Sequence, residues 1–251
     1  MRASLSIAGL HDAETDGPWR AAPRAVIEWA SGLDFRALHL DASAPGLRPR
    51  ELDRSARRDL AATLRRSGLG FTGVDLWIPP AHYEDPARSD RALGALAGAI
   101  AFAGELGALL GVRGAGVCVT LPAEPDGSLR RMLSEQGDRA GVVIEDHGTG
   151  EPGGLSPPFA PGFDSARAVL RGEKPEEALA RLASVLRSLR LNDADDTGRR
   201  PLGRGRVDLD AMLALHATLA PSLPIVTDLR GLHDPGLGAE AVRSVLGPRD
   251  A

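Results

Sequence analysis

The residues able to do chemistry gather at the ends of short apolar runs. In GVVIEDHG, strand alternation puts Glu145 and His147 on one face and Asp146 on the other. LRSLRLND pairs Arg190 with Asn192, and LPIVTDLR pairs Asp228 with Arg230. FTGVDLW ends in Asp75 and Trp77, and ALHLDAS carries His39 and Asp41. Burying an unpaired polar group is costly, so polar side chains at so many apolar run ends point to a shared site and not to core packing. Carboxylates, imidazoles and guanidinium groups are the equipment for acid–base work and for binding polar ligands.

The elements that must carry these residues alternate along the whole chain. Short β-like runs (SLSIAG, ALHLDAS, FTGVDLW, GVCVTLP, GVVIEDHG) are each followed by a longer helix-like stretch, the mark of parallel β/α units. ELDRSARRDLAATLRRSG reads as an amphipathic helix ending at Gly68. The sixth unit is weak: between Gly148 and Pro175 only PPFAPGFDSARAVLRG is present, with Asp164 after Phe163. KPEEALARLASVLRS reads as a helix, LRSLRLNDAD as the seventh run, VDLDAMLALHATLA as the next helix, LPIVTDLRG as the eighth run and PGLGAEAVRSVLG as the closing helix. The expected fold class is α/β, a (β/α)8 TIM barrel forming one domain over residues 1–251, whose strand-end side chains meet at one mouth. A doubly wound open sheet is the alternative, but no GxGxxG follows the first run. The glycine- and proline-rich segment from Gly148 to Pro161 reads as a long loop over the mouth.

A length of 251 residues suits one such barrel. A net charge of -4, with arginines mixed among acids, gives no reason to expect nucleic acid. Lys174 is the single lysine, so arginine supplies nearly all positive charge. Cys118 stands alone, which excludes an intramolecular disulfide, and its apolar surroundings suit a buried thiol. MRASLSIAGL has too short an apolar run for a secretory signal. ALGALAGAIAFAGELGALLG is interrupted by Glu105 and built of alanine and glycine, which reads as a buried outer-layer helix and not a membrane span. A cytoplasmic location without a membrane partner follows as the expectation.

The order and spacing of these units resemble the xylose isomerase-like barrels, the sugar phosphate isomerase/epimerase-like family, which also includes inosose dehydratases and an endonuclease branch. LRLNDADDTGRRPLGRGRVDLDAML is similar to the family's seventh-strand segment, which runs through a Gly-x-Gly loop into an Asp-started helix. GVVIEDHG resembles the fifth strand, and FDSARAVLRGEKPEEAL the sixth unit. The resemblance implies a place in carbohydrate metabolism and a divalent metal, Mg²⁺ or Mn²⁺, held by four strand-end residues. Carried over by position, Glu145 and Asp164 take the first two places. Arg190 falls where the family has a histidine, and Asp228 where it has a second glutamate. An arginine has no lone pair to give, so Arg190 is no ligand and sets a fixed positive charge where the cation would sit. Glu145, Asp164 and Asp228 remain as an oxygen-rich metal set; a salt-bridged carboxylate–arginine cluster is the other alternative.

Two functions follow. With a metal, an isomerase or epimerase of a sugar or polyol would form an enediolate, with Glu145 and Asp228 flanking the substrate carbon as base and acid. Without it, the chain is a relative, catalytic or not, that binds a small polar ligand through Arg190, which could also face a developing oxyanion. His147 joins the catalytic candidates beside the alternative of a loop-carbonyl hydrogen bond. His39, Trp77, Asn192 and Arg230 are candidates for contact with a sugar-like substrate. Asp208 reads as a helix N-cap, His216 as packing, His11 as a mouth-side or exposed loop residue, and Arg204 as a solvated or phosphate-facing one. The endonuclease chemistry needs a larger histidine-rich cluster than six scattered histidines supply. Barrels of this type often pair, which leaves a homodimer open.

Overall fold

A computed structural model describes residues 3–125, 127–148 and 158–247 of the chain. Eight parallel strands form the inner wall: β1 (Ala3–Ser6), β2 (Ala37–Asp41), β3 (Gly70–Leu76), β4 (Gly116–Val119), β5 (Val143–Asp146), β6 (Phe159–Pro161), β7 (Leu189–Arg190) and, after an antiparallel hairpin of β8 (Asp193–Asp195) and β9 (Gly198–Arg200), β10 (Ile225–Asp228). The order around the sheet is β6-β5-β4-β3-β2-β1-β10-β7. First and last units meet where Ser6 lies beside Asp228. The wall closes between β6 and β7 through one bridge, Asp164 to Arg190, in which the Arg190 N–H donates to the Phe163 carbonyl at 3.2 Å. The expected (β/α)8 barrel is thus present, and its thin sixth unit is a strand of three residues.

Helices α1 (Pro23–Gly32), α2 (Arg54–Arg66), α3 (Ala81–Glu84), α4 (Ser89–Leu110), α5 (Gly127–Ala140), α6 (Ser165–Leu170), α7 (Pro175–Leu182), α8 (Leu209–Leu219) and α9 (Pro235–Leu246) follow the strands. Helix α2 shows why. Asp53 caps it by accepting from the Ala56 N–H at 2.8 Å. Its Leu60, Ala61 and Leu64 are buried while its other face carries arginines. Asp164, Asp208 and Asp234 cap α6, α8 and α9 in the same way. Helix α7 stops at Leu182, earlier than the run to Ser188 suggests. Helix α4 is long and apolar enough to cross a membrane by length and composition alone, but it packs on β3, β4, α2 and α5 as part of the outer layer. The mouth-covering loop expected from Gly148 to Pro161 falls largely on residues 149–157, outside the described residues.

Two glycines let polar side chains enter the barrel. A Cβ at Gly73 (φ +156°) would meet the Gly116 carbonyl oxygen at 2.2 Å and His39 Cε1 at 2.6 Å. A Cβ at Gly116 would meet Glu145 Oε1 at 2.4 Å. His39 and Glu145 therefore occupy room that those positions leave open.

Candidate functional site

Strand alternation delivers the residues read from the sequence to the C-terminal mouth. Arg190, from β7, is the largest fully buried side chain among the described residues, at 0% exposure. Its Nη2 donates to Asp75 on β3, and its Nη1 to Asp228 Oδ2 on β10 at 3.2 Å. Asp75 also accepts from the Ser6 hydroxyl at 2.5 Å. Asp228 is gripped twice more: by Arg230, whose Nε lies 2.8 Å from Oδ2, and by Arg199 of β9 at 3.5 Å from Oδ1. Arg199 also reaches Asp164, which leaves three guanidinium groups interleaved with three aspartates. Trp77 roofs the cluster, with the Arg230 guanidinium 4.0 Å and the Arg190 guanidinium 5.2 Å from its ring centroid. The His147 ring meets Trp77 edge-on at 5.2 Å. Asn192 completes the set by accepting the Asp228 N–H at 2.7 Å.

Charges follow from these neighbours. Burial alone would raise the Asp228 carboxyl, but Arg230, Arg199 and Arg190 override it and hold it far below the usual aspartate range. Burial works against the Arg190 charge, and the Asp75 and Asp228 carboxylates restore it, so the guanidinium stays charged. Burial lowers His39 to about 4, against the pull of Asp75. Burial, then Arg190 and Arg167, push His147 well down, so both imidazoles are neutral at pH 7. Glu145 is raised by burial although Ser188 donates to it at 2.5 Å. Burial and Glu145 push the Cys118 thiol up.

Every nominated residue except Asp164 belongs to the wall's inner face or the mouth; Asp164 caps α6 and joins the cluster through Arg199. Asp146 points away, where it accepts from the Leu121 and Gly148 N–H groups. His11 stands at the rim, 3.6 Å from Asp41. His216 Nε2 donates to the Leu223 carbonyl, 2.9 Å away, as packing requires. His82 sits beside Arg88 and His233 beside Glu14. Asp193 accepts from the N–H groups of Gly203, Gly205 and Val207, which explains the Gly-x-Gly loop. Sequence reasoning missed Arg199 and Ser188. Arg199 comes from a hairpin outside strand alternation; its only signal is its place in the DTGRR turn.

The oxygens of Asp164 are already spent on the α6 amides and on Arg199, those of Asp228 on guanidinium groups, and Arg190 has no lone pair to offer a cation. The set Glu145, Asp164 and Asp228 does not fit a cation in this arrangement. Two other groups, His39–Asp75–Cys118 and Cys118–Glu145–His147, hold donor atoms within 4.8 Å of one another. Both lie against the charged Arg190, and Cys118 would have to shed a proton that its surroundings favour.

Several buried polar atoms at the mouth have no hydrogen-bond partner among the described residues: His39 Nε2, Trp77 Nε1, His147 Nε2, Arg190 Nε and Asn192 Nδ2. A cavity of about 480 Å³ opens at the ends of β1 and β10, lined by Gly9, Leu10, Arg230 and His233 among others. Arg230 thus joins the cavity to the cluster.

No protein-family profile matches the chain, and no curated protein matches it. Solved structures do. A xylose isomerase domain protein from Planctomyces limnophilus is 18% identical with a TM-score of 0.69, over 98% of this chain and 94% of that one. A xylose isomerase-like TIM barrel protein from Mycobacterium smegmatis, solved in complex with magnesium, is 16% identical with a TM-score of 0.69, over 98% and 95%. A D-allulose 3-epimerase from Methylomonas sp., solved with D-allulose, is 14% identical with a TM-score of 0.65, over 97% and 96%. The architecture is that of a (β/α)8 barrel. Among barrels it is similar in structure to these xylose isomerase-like proteins.

Proposed function

We propose that this chain is a relative of the sugar isomerase and epimerase barrels that binds a small sugar-like polyol at its mouth through a guanidinium cluster in place of a divalent cation. The observation that carries this reading is Arg190, fully buried and bridging Asp75 and Asp228. The unpartnered polar atoms around it support a hydroxyl-rich ligand, because hydroxyls both donate and accept. The enediolate route is less well supported. It needs Asp228 as one of two proton-transfer groups, and a carboxylate saturated by three guanidinium groups is a poor base.

The test is calorimetric titration of EDTA-treated protein with D-allulose and D-fructose, alone and with Mn²⁺. Saturable binding indifferent to Mn²⁺ is expected, with no deuterium entering the ketose in D₂O. Binding or exchange that appears only with Mn²⁺ would overturn it. A second reading places a divalent cation on Cys118, Glu145 and His147, motivated by their convergence and by the unpartnered His147 Nε2. Stoichiometric Zn²⁺ uptake lost in Cys118→Ser would establish that reading in place of the first.

A further inference from the structure

The two faces of β3 serve different surroundings. Asp75 and Trp77 turn into the mouth, whereas Leu76 and Ile78 face outward and line a separate cavity of about 730 Å³ between the turns after β2 and β3 and the exposed side of α4. That volume is in the range of small-molecule sites. Its floor is apolar: Leu76, Ile78, Pro49 and the small residues of α4. Gly94 has nothing within 4 Å of where a Cβ would stand, so the floor is open there.

The rim is cationic. Arg48, Arg50, Arg57, Arg88 and Arg91 line the cavity together with His82, and no carboxylate does. Arg48, Arg57 and Arg88 are held by Glu51, Glu105 and Asp85. Arg50 and Arg91 have no ion-pair partner among the described residues, in a chain whose net charge is -4. Two guanidinium groups without an ion-pair partner, beside an apolar floor, match a ligand with two halves. A second copy of the chain fits poorly, because a two-fold interface would set this arginine cluster against itself.

We propose that this cavity binds an amphiphilic organic anion, its acyl or aryl body on the α4 floor and its phosphate or carboxylate head on Arg50 and Arg91. The site is distinct from the mouth and independent of the polyol reading.

The experiment titrates the full chain by calorimetry with decyl phosphate and decanoate below their micelle concentrations, with inorganic phosphate as head alone and decyltrimethylammonium as charge control. Saturable one-to-one binding of an anionic amphiphile is expected, the tighter of the two naming the head group. Inorganic phosphate should bind at least about a hundredfold more weakly, since it buries no methylene groups. Arg50→Glu/Arg91→Glu should weaken binding by at least about tenfold while the melting temperature is preserved. Gly94→Phe, which projects into the open space, should abolish amphiphile binding with the melting temperature preserved. Absence of saturable binding by either anion overturns the proposal, as does equal binding of the cationic amphiphile or of inorganic phosphate. A Gly94→Phe chain that changes oligomeric state yet still binds the amphiphile would make this face a protein interface and overturn it too.

Discussion

Replacing Arg190 with methionine tests whether one guanidinium holds the mouth together. Its Nη1 stands 3.2 Å from Asp228, its Nη2 donates to Asp75, and no part of the side chain is exposed. At that separation and an effective dielectric constant of about 20, the gross attraction of one unit pair is about 5 kcal/mol. Asp228 keeps Arg199 and Arg230 after the substitution. The penalty therefore falls on Asp75, left with the Ser6 hydroxyl and a neutral His39 3.7 Å away. Removing one partner of a buried pair costs about 3–5 kcal/mol, a large part of the roughly 5–15 kcal/mol that holds a typical domain folded. Urea unfolding followed by circular dichroism at neutral pH should show that loss. Arg190→Met/Asp75→Asn removes both charges and should recover at least about half of it, because the two sites are coupled. A single variant within about 1 kcal/mol of the parent, an effect no larger than that of an ordinary substitution, would refute the reasoning. So would a double variant no more stable than the single one.

Other outcomes follow from the same geometry. The folded chain refuses a proton at His39 between 6.5 and about 4 that the unfolded chain accepts, so stability is lost as pH falls through that window. The full loss is about 3 kcal/mol, and a His39→Gln chain followed by thermal melts should lack that part of the slope. Asp228 has the opposite bookkeeping group type but the same sense of slope. Its folded value is depressed, so its stabilisation is complete above the ordinary 3.8 and drains away only as pH falls below it. The gap between the parent and Asp228→Asn should therefore stay constant near neutrality and narrow only in strong acid; a gap already narrowing at pH 6 would contradict the arginine assignment. Gly73→Ala, whose Cβ would stand 2.2 Å from the Gly116 carbonyl, should cost about 2–4 kcal/mol in urea unfolding. Arg190→His supplies a ring nitrogen and removes the fixed charge, so Mn²⁺ uptake measured by equilibrium dialysis should rise above the parent's; no change would show that Arg199 and Arg230 alone keep the ion out.

The fold and the inward faces were legible because a parallel strand has a strict two-residue period. Glu145 with His147, Arg190 with Asn192 and Asp228 with Arg230 each fall on one face by counting alone. That Arg190 cannot ligate a metal was legible too, since a guanidinium has no lone pair wherever it stands. Pairing partners were not legible. Asp75 and Arg190 are 115 positions apart and meet only because the barrel is closed, and Arg199 arrives from a hairpin that alternation does not describe. The small cofactor question turns on that difference: spacing shows three carboxylates near one mouth, and only the folded chain shows that two of them are already paired.

The closure of the wall between β6 and β7 by a single bridge has a dynamic consequence. Elsewhere neighbouring strands share a ladder, but here the backbone pairing is one bridge, with the Arg190 N–H donating to Phe163, and the Ser165 hydroxyl adds side-chain bonds by accepting from the Asn192 N–H at 2.9 Å and donating to the Asn192 carbonyl at 2.6 Å. Parting that seam breaks one backbone–backbone bond and the Ser165 bonds but no strand ladder, so it is the place where the barrel should breathe first. Glu145 and Ser188 lie just behind it, on the strand next to β6 and on the approach to β7. The Arg190 amide should then trade its hydrogen ahead of the paired amides of β10.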